Sequence, residues 1–453
     1  MSEEKSRKKR WLVWGMAVSI VVLLFAPVMI FRAVNRAAFE RKVAELKAAG
    51  QPVSMDDLEA AYVLPEGVEN AADVYQKAFR AYVEPNEAAV QFLPVCGTLV
   101  RTEDMPPFPP EVMEAVRVRL EENAECLELL DRAGRMEHCL LPRRRMPGFF
   151  FVNDSVPPLR RTSQLMMERN LYLAQTGQVD ALYESSLTMF MLTAVLSKQP
   201  TVIDHLTTLA VQAMAASGLK DSLNMVQFTD AQLAEFQNRL RGMQPIQTYA
   251  NATVNDRAGL VDLLSGTRAD LSSYLSVSGW LSMFTMGVLV HSGMKDKDAV
   301  ILLECQGRQL QILQLPLHEQ AAEINKLSAE ISDYSVIHYL LELMAPSFRV
   351  HSISLRVEGG IRCAETAVAV ERYRLKYGKL PGLLTELVPE FLAEVYLDPF
   401  DGNPLRYVLR PEGGYMIYCI GEDGVDNGGV DMSHKVTGAG GAPEYDWPFT
   451  VRR

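Results

Sequence analysis

Cysteine, histidine and the short signatures of catalysis are all scarce in this chain of 453 residues. Its six cysteines, Cys96, Cys126, Cys139, Cys305, Cys363 and Cys419, form no C-x-x-C pair and follow no regular spacing. A structural zinc site needs closely spaced ligand pairs; outside the cytoplasm the even count could form disulfides, but a chain this long needs no staples, so buried free thiols packing as small hydrophobes are expected. Seven histidines are spread from His138 to His434 without a cluster. There is no P-loop, no G-x-G-x-x-G, no G-x-S-x-G and no H-E-x-x-H, and His318-Glu319 lacks the second histidine that a zinc helix requires. No catalytic residue is nominated and the chain reads as a non-enzyme. The alternative is an enzyme whose groups converge in space within the helical part.

An excess of positive charge is also missing. Lysine and arginine total 45 against 56 acidic residues, a net charge of −11. General nucleic-acid binding needs a basic footprint that displaces counterions from phosphates, and this balance excludes it. Hydrophobic residues make up 48% and charged residues 22%, which rules out wholesale disorder.

What the chain does have is one long apolar run. Trp11 to Phe31 carries no charged residue, and about 20 apolar residues suffice to cross ~30 Å of hydrocarbon. Trp11 and Trp14 suit the headgroup interface. The run is longer than the ~7–15 residues of a signal-peptide core, so an uncleaved transmembrane helix over 11–31 is expected. Lys5, Arg7, Lys8, Lys9 and Arg10 precede it, while Arg32, Arg36, Arg41 and Lys42 follow. The positive-inside rule then places residues 1–10 in the cytoplasm, the helix in the inner membrane, and the body in the periplasm or its equivalent. A second uncharged stretch, 271–294, is broken by serines and by Gly279 and Gly287. It reads as a buried hairpin or loop, with a second span as the alternative.

Residues 35–350 read as a helical body. Ser54-x-x-Asp57 and Thr229-x-x-Gln232 resemble capping boxes. Over 111–134, Met113, Val116, Leu120, Ala124, Leu127 and Leu130 share one face of a predicted helix that stops at Gly134. A helix ending at Thr176, a turn at Gly177, a helix over Val179–Ser197 and a third from Pro200 to Gly218 follow. AQTGQVDALYESS is similar to the turn of a tetratricopeptide hairpin, but no copies recur near a 34-residue period, so an irregular bundle of helical hairpins is expected. His205 falls on an apolar face with Leu209 and Ala213 and reads as a core residue. From about 351 the pattern changes: a long helix over 352–377, a short one in LLTELV, then a hairpin from Leu405–Leu409 and Tyr415–Ile420. Residues 436–453 read as a polar tail.

The phrases YRLKYGKLPGLLTELVPEFL (373–392), LDPFDGNPLRYVL (397–409) and GGYMIYCIGEDGVDNGG (413–429) carry a resemblance in their order. This stretch resembles the C-terminal globular domain of the major pseudopilin of type II secretion systems, and it covers about a quarter of the chain. The resemblance implies a small α+β domain over 351–435 with an antiparallel sheet and calcium in the final loop, with Asp423 and Asp431 matching the family pattern best and Asp426 a third ligand. The processing site that precedes a pseudopilin's apolar helix has no counterpart before Trp11. Read by its own chemistry, the loop offers carboxylates and flexible glycines that suit a hard cation, and equally suit simple turn formation. Taken together, the fold is expected to be mainly α with a transmembrane helix and this α+β module. The function expected is a membrane-anchored structural or interaction protein of the cell envelope, with envelope or secretion-system proteins as partners. A pseudopilus component is the alternative.

Overall fold

The computed structural model describes residues 2–99, 105–145, 151–198, 200–266, 292–335, 345–431, 436–437 and 443–453. The chain is mainly helical, with small antiparallel sheets. Helix α1 runs Ser2–Ala48 and contains the uncharged run together with Pro27. Its C-terminal part belongs to the body: Phe39 is 1% exposed and, with Val43 and Leu46, packs on Leu260, Leu264, Leu302 and Leu327. Gly293 (φ +89°) brings the next element against α1 at this level, since an added Cβ would lie 2.6 Å from Arg32 Cα. Among the described residues no helix is long and apolar enough to cross a membrane. Several side chains of the 11–31 run fall outside that set, as does most of the 271–294 stretch.

Short helices α2 (Met55–Ala60), α3 (Ala71–Ala81) and α4 (Glu87–Val90) follow, each opened by a side-chain cap from Ser54, Asn70 or Asn86. The helix expected over 111–134 is two helices, α5 (Pro110–Glu122) and α6 (Ala124–Gly134). The break is Asn123, whose buried side chain accepts from Val83 N–H and donates to the carbonyls of Val83 and Arg119. A two-residue hairpin, β1 (Arg144–Arg145) with β2 (Phe151–Val152), leads into α7 (Val156–Gln175) and α8 (Val179–Leu192). Gly177 (φ +70°) turns the chain between these two helices, and the N–H of Gln178 caps Leu173 O. The third helix, α9 (Val202–Met225), does not stop at Gly218. That glycine is buried within the helix, where an added Cβ would come into ordinary contact with Met167 at 4.0 Å. Reciprocal capping boxes open α9 through Thr201 and Asp204, and α10 (Asp230–Arg241) through Thr229 and Gln232. Helix α11 (Pro245–Ser265), α12 (Met294–Ile312) and α13 (Leu317–Ser335) complete the middle of the chain.

The longest element after α1 is α14 (Ala345–Tyr377), which ends at Gly378 with φ +68°. A 3-10 turn over Leu384–Leu387 leads to β3 (Arg406–Leu409) and β4 (Tyr415–Cys419), paired antiparallel with Leu409 opposite Tyr415. A short pair, β5 (Val436–Thr437) and β6 (Pro443–Glu444), precedes β7 (Trp447–Val451). β7 corrects the expectation of a polar tail, because it pairs with β4 to give the sheet order β3-β4-β7. In WPFTV, Phe449 and Val451 alternate inward and are 5% and 0% exposed, so the last residues of the chain are core. One hydrophobic cluster runs from α3 and α6 through α7, α8, α9 and α10 to α14 and the sheet. The core therefore crosses residue 350 without a seam, with α14 packed on α9, α10 and α11 as well as on the strands.

Candidate functional site

The acidic loop after β4 contains all three residues nominated from sequence. Asp423 accepts from Val425 N–H at 3.2 Å and from the Asn427 amide at 3.3 Å. Asp426 accepts from Tyr418 Oη and from Gly428 N–H, each at 3.0 Å, and the Gly428 bond holds its carboxyl below the ordinary range. Asp431 is half-buried and lies on the wall of a cavity of about 430 Å³. The loop is organised by residues that sequence reasoning did not nominate. Asp446, at the start of β7, is fully buried and takes the N–H groups of Asn427 (3.0 Å) and Gly429 (2.7 Å) on one oxygen. Arg406, on β3, places its guanidinium among Asp398, Asp401 and Asp426, with the last at 3.4 Å.

This arrangement can be tested against calcium. A calcium site gathers 6–8 oxygens around one point at about 2.3–2.6 Å. Here the Asp426 oxygens are engaged by a hydroxyl, an N–H and a guanidinium, and those of Asp423 by an N–H and an amide. Among the described residues no three acidic, histidine or cysteine side chains are grouped to hold a metal. Asp426 as placed is committed to these partners, and Arg406 supplies the positive charge it faces. Asp398 fixes the turn entering the sheet: it accepts from Phe400 N–H and Ile420 N–H, while its own N–H donates to Asn403 O.

A second polar centre lies inside the helical body. His205 on α9 meets Ser354 on α14 through Nε2 and Oγ at 2.9 Å, and its ring stacks on Tyr249 of α11 with centroids 5.5 Å apart. The Tyr249 hydroxyl donates to Ser347 O and accepts from the Gln309 amide, both at 2.5 Å. His351 Nε2 lies 3.0 Å from Gln320 Oε1. Burial pushes both imidazoles down to about 4, so they are neutral at physiological pH. His205 is thus the core residue its apolar face predicts. The cavities of about 770, 560 and 430 Å³ are lined by other residues. The members of the centre come from five helices, and only the position of His205 on an apolar face was visible beforehand.

The cysteines are free, as expected, and four of the six are buried. No protein-family model, no curated protein and no solved structure matches the chain.

Proposed function

We propose that the protein is a membrane-anchored structural or interaction protein of the cell envelope, held by the 11–31 part of α1 and presenting its body to a protein partner. The observation that carries this reading is the contrast within α1. Trp11, Trp14, Met16, Leu23, Phe25, Met29 and Ile30 are each at least 60% exposed, whereas Phe39 is 1% exposed. Soluble monomers rarely leave so many large apolar side chains together in water, and hydrocarbon removes that cost. The tryptophans stand near one end of the uncharged run, where an indole suits the headgroup layer. At the other end Arg36 pairs with Glu40 at 2.7 Å and with Asp296 at 3.5 Å, fixing the helix to the body. Gly293, on the body side, lies against the same part of α1 at Arg32.

The pseudopilin-like reading of the C-terminal unit is supported by the order of its elements, a long helix followed by an antiparallel sheet. Its edge strand β3 carries exposed Val408 and Leu409, with Leu383 and Leu397 also exposed. An edge with unpaired backbone groups and apolar side chains is suited to a protein contact. The test is extraction of the full chain from membranes. Retention through a carbonate wash, release on deleting residues 2–34, and digestion of the body by protease added outside intact spheroplasts are the expected results. A full chain that is released by carbonate overturns the anchor, and a protected body overturns the orientation.

A further inference from the structure

Strand β4 lies along one stripe of α14. Tyr415, Ile417 and Cys419 alternate inward on the strand and are fully buried. On the helix, Gly359, Cys363, Ala367 and Glu371 recur every fourth position and so share a face. At one end of the stripe the Tyr415 hydroxyl lies 3.0 Å from both Ala367 O and Glu371 Oε1. At the other end Cys419 rests on Gly359, where an added Cβ would strike its Sγ at 2.6 Å. Glycine is a poor residue for a helix interior, and here it is what lets the strand come this close. One turn further along the same face, the Cys363 and Cys419 thiols share a hydrogen bond inside the hydrophobic core.

Closeness of this kind is what a disulfide requires, since side chains as short as cysteine join only backbones whose Cα atoms come within about 7 Å. The pairing is selective. No second thiol acts on Cys126, Cys139 or Cys305, and Cys96 lies against Glu168.

We propose that Cys363 and Cys419 join as a disulfide when the chain folds in an oxidising compartment, a step that rests on the extracytoplasmic placement inferred above. Both are free thiols in this structure, which shows the reduced form of the pair. The oxidant is a small or protein disulfide. One cysteine thiolate attacks it and expels a thiol, and the other attacks the resulting mixed disulfide, forming the Sγ–Sγ bond and expelling a second thiol. The two protons end on the expelled thiols, and the two electrons reduce the oxidant. Contact with the Cys363 thiol, and burial after it, hold the Cys419 thiol well above its ordinary range, so thiolate is scarce once the sheet has closed. The bond is therefore made while β4 is still off the helix, and the packed core then shields it. It closes a loop of roughly 55 residues and fastens to α14 the sheet whose β3 edge is exposed.

The experiment uses the full chain in detergent, its body unfolded in urea and refolded with mixed oxidised and reduced glutathione. Thiols are then blocked with N-ethylmaleimide and the peptides mapped. Four of the six cysteines are expected to be alkylated, with one cross-linked peptide joining Cys363 to Cys419. The Tm is expected to exceed that of the dithiothreitol-treated chain by on the order of 5 °C. Cys419→Ala and Cys363→Ala, made separately, are each expected to abolish that difference, so either one suffices if the other does not fold. Six alkylated thiols, comparable yields of links to other cysteines, or a linked chain less stable than the reduced one overturns the inference. The same mapping on chain taken from cells, with thiols blocked at lysis, separates the pair from its placement. A link that forms on refolding but is absent in cells upholds the pair and overturns the oxidising compartment.

Discussion

Along α14 the polar contacts change in kind. Near its start, Ser354 and His351 join a centre of neutral groups in which His205, Tyr249, Gln309 and Gln320 share hydrogen bonds and, among the described residues, no ion pair is made. Further along, Glu365 and Glu371 are buried carboxylates met by arginines. Arg241 reaches Glu365 at 2.8 Å, and Arg374 and Arg453 reach Glu371 at 2.6 and 2.7 Å. The hydroxyls of Tyr396 and Tyr415 donate to the same two carboxylates. In both regions the helix is covered by neighbours, yet one interior excludes charge and the other balances it. A balanced interior fails when one partner is removed, since the remaining charge has lost both water and its counterion. A neutral interior fails when a proton is added.

The largest effect expected from this contrast is that of Glu371→Ala. It strips Arg374, Arg453 and the Tyr415 hydroxyl of a shared acceptor. Breaking a buried pair in this way costs about 3–5 kcal/mol, and the partial exposure of both arginines favours the lower end. Ser354→Ala in the neutral centre removes one uncharged partner of His205 and is expected to cost about 1 kcal/mol. Urea unfolding of the two variants makes the comparison. Equal losses would erase the distinction between the two interiors.

How far the sequence discloses these interiors depends on where each partner comes from. The side-chain cap at Ser54, the capping box at Thr229, the turn at Gly177 and the β3–β4 hairpin rest on neighbours a few residues away, and all are legible, although Asp57 closes on Val53 N–H and not on Ser54 as a reciprocal box would. The break at Asn123 depends on the backbone of Val83, forty positions earlier, which no local pattern reveals. β7 reads as tail in the sequence because glycines and alanines before it hide a five-residue alternation, and because its partner β4 lies about thirty residues back. The carboxylates of the loop were visible as a group, but Arg406 looked like an ordinary polar position in a strand. Its neutralising role appears only when the turn at Asp398 and the loop at Asp426 are folded onto β3. Asp446 was missed for the same reason, since the N–H groups it holds are those of Asn427 and Gly429.

The next effect is a pH dependence confined to the neutral centre. His205 stays neutral in the folded chain down to about pH 4 and protonates near 6.5 when unfolded. Between those values the unfolded chain binds more protons, so this contribution to stability is present above about 6.5 and lost as pH falls toward 4. Asp256, one turn beyond Thr253 on α11 and raised by burial to about 7, acts in the opposite direction over much of the same window, as does Asp204 with its raised carboxyl. The net slope therefore mixes signs, and a difference measurement isolates the imidazole. The stability advantage of the parent chain over His205→Gln is expected to shrink by roughly 2–3 kcal/mol between pH 7 and pH 4.5. A gap independent of pH would mean that His205 is not held neutral, and the contrast with the charge-balanced interior would lose its basis.

The smallest effect concerns the acidic loop, which belongs with the balanced interior by virtue of Arg406. A guanidinium among Asp398, Asp401 and Asp426 competes with any cation for the same oxygens. The full chain in detergent is therefore expected to unfold at the same temperature, within about 1 °C, in EDTA and in millimolar calcium. Arg406→Gln removes the internal cation and leaves three carboxylates facing one another. Their repulsion lowers the Tm in EDTA, and added calcium is expected to restore part of that loss, because an external cation then takes the vacated role. A calcium-dependent rise in the parent chain that disappears on Asp423→Ala and Asp431→Ala would show that the loop takes its charge balance from a bound ion, and would move it out of the class that α14 and its arginines define.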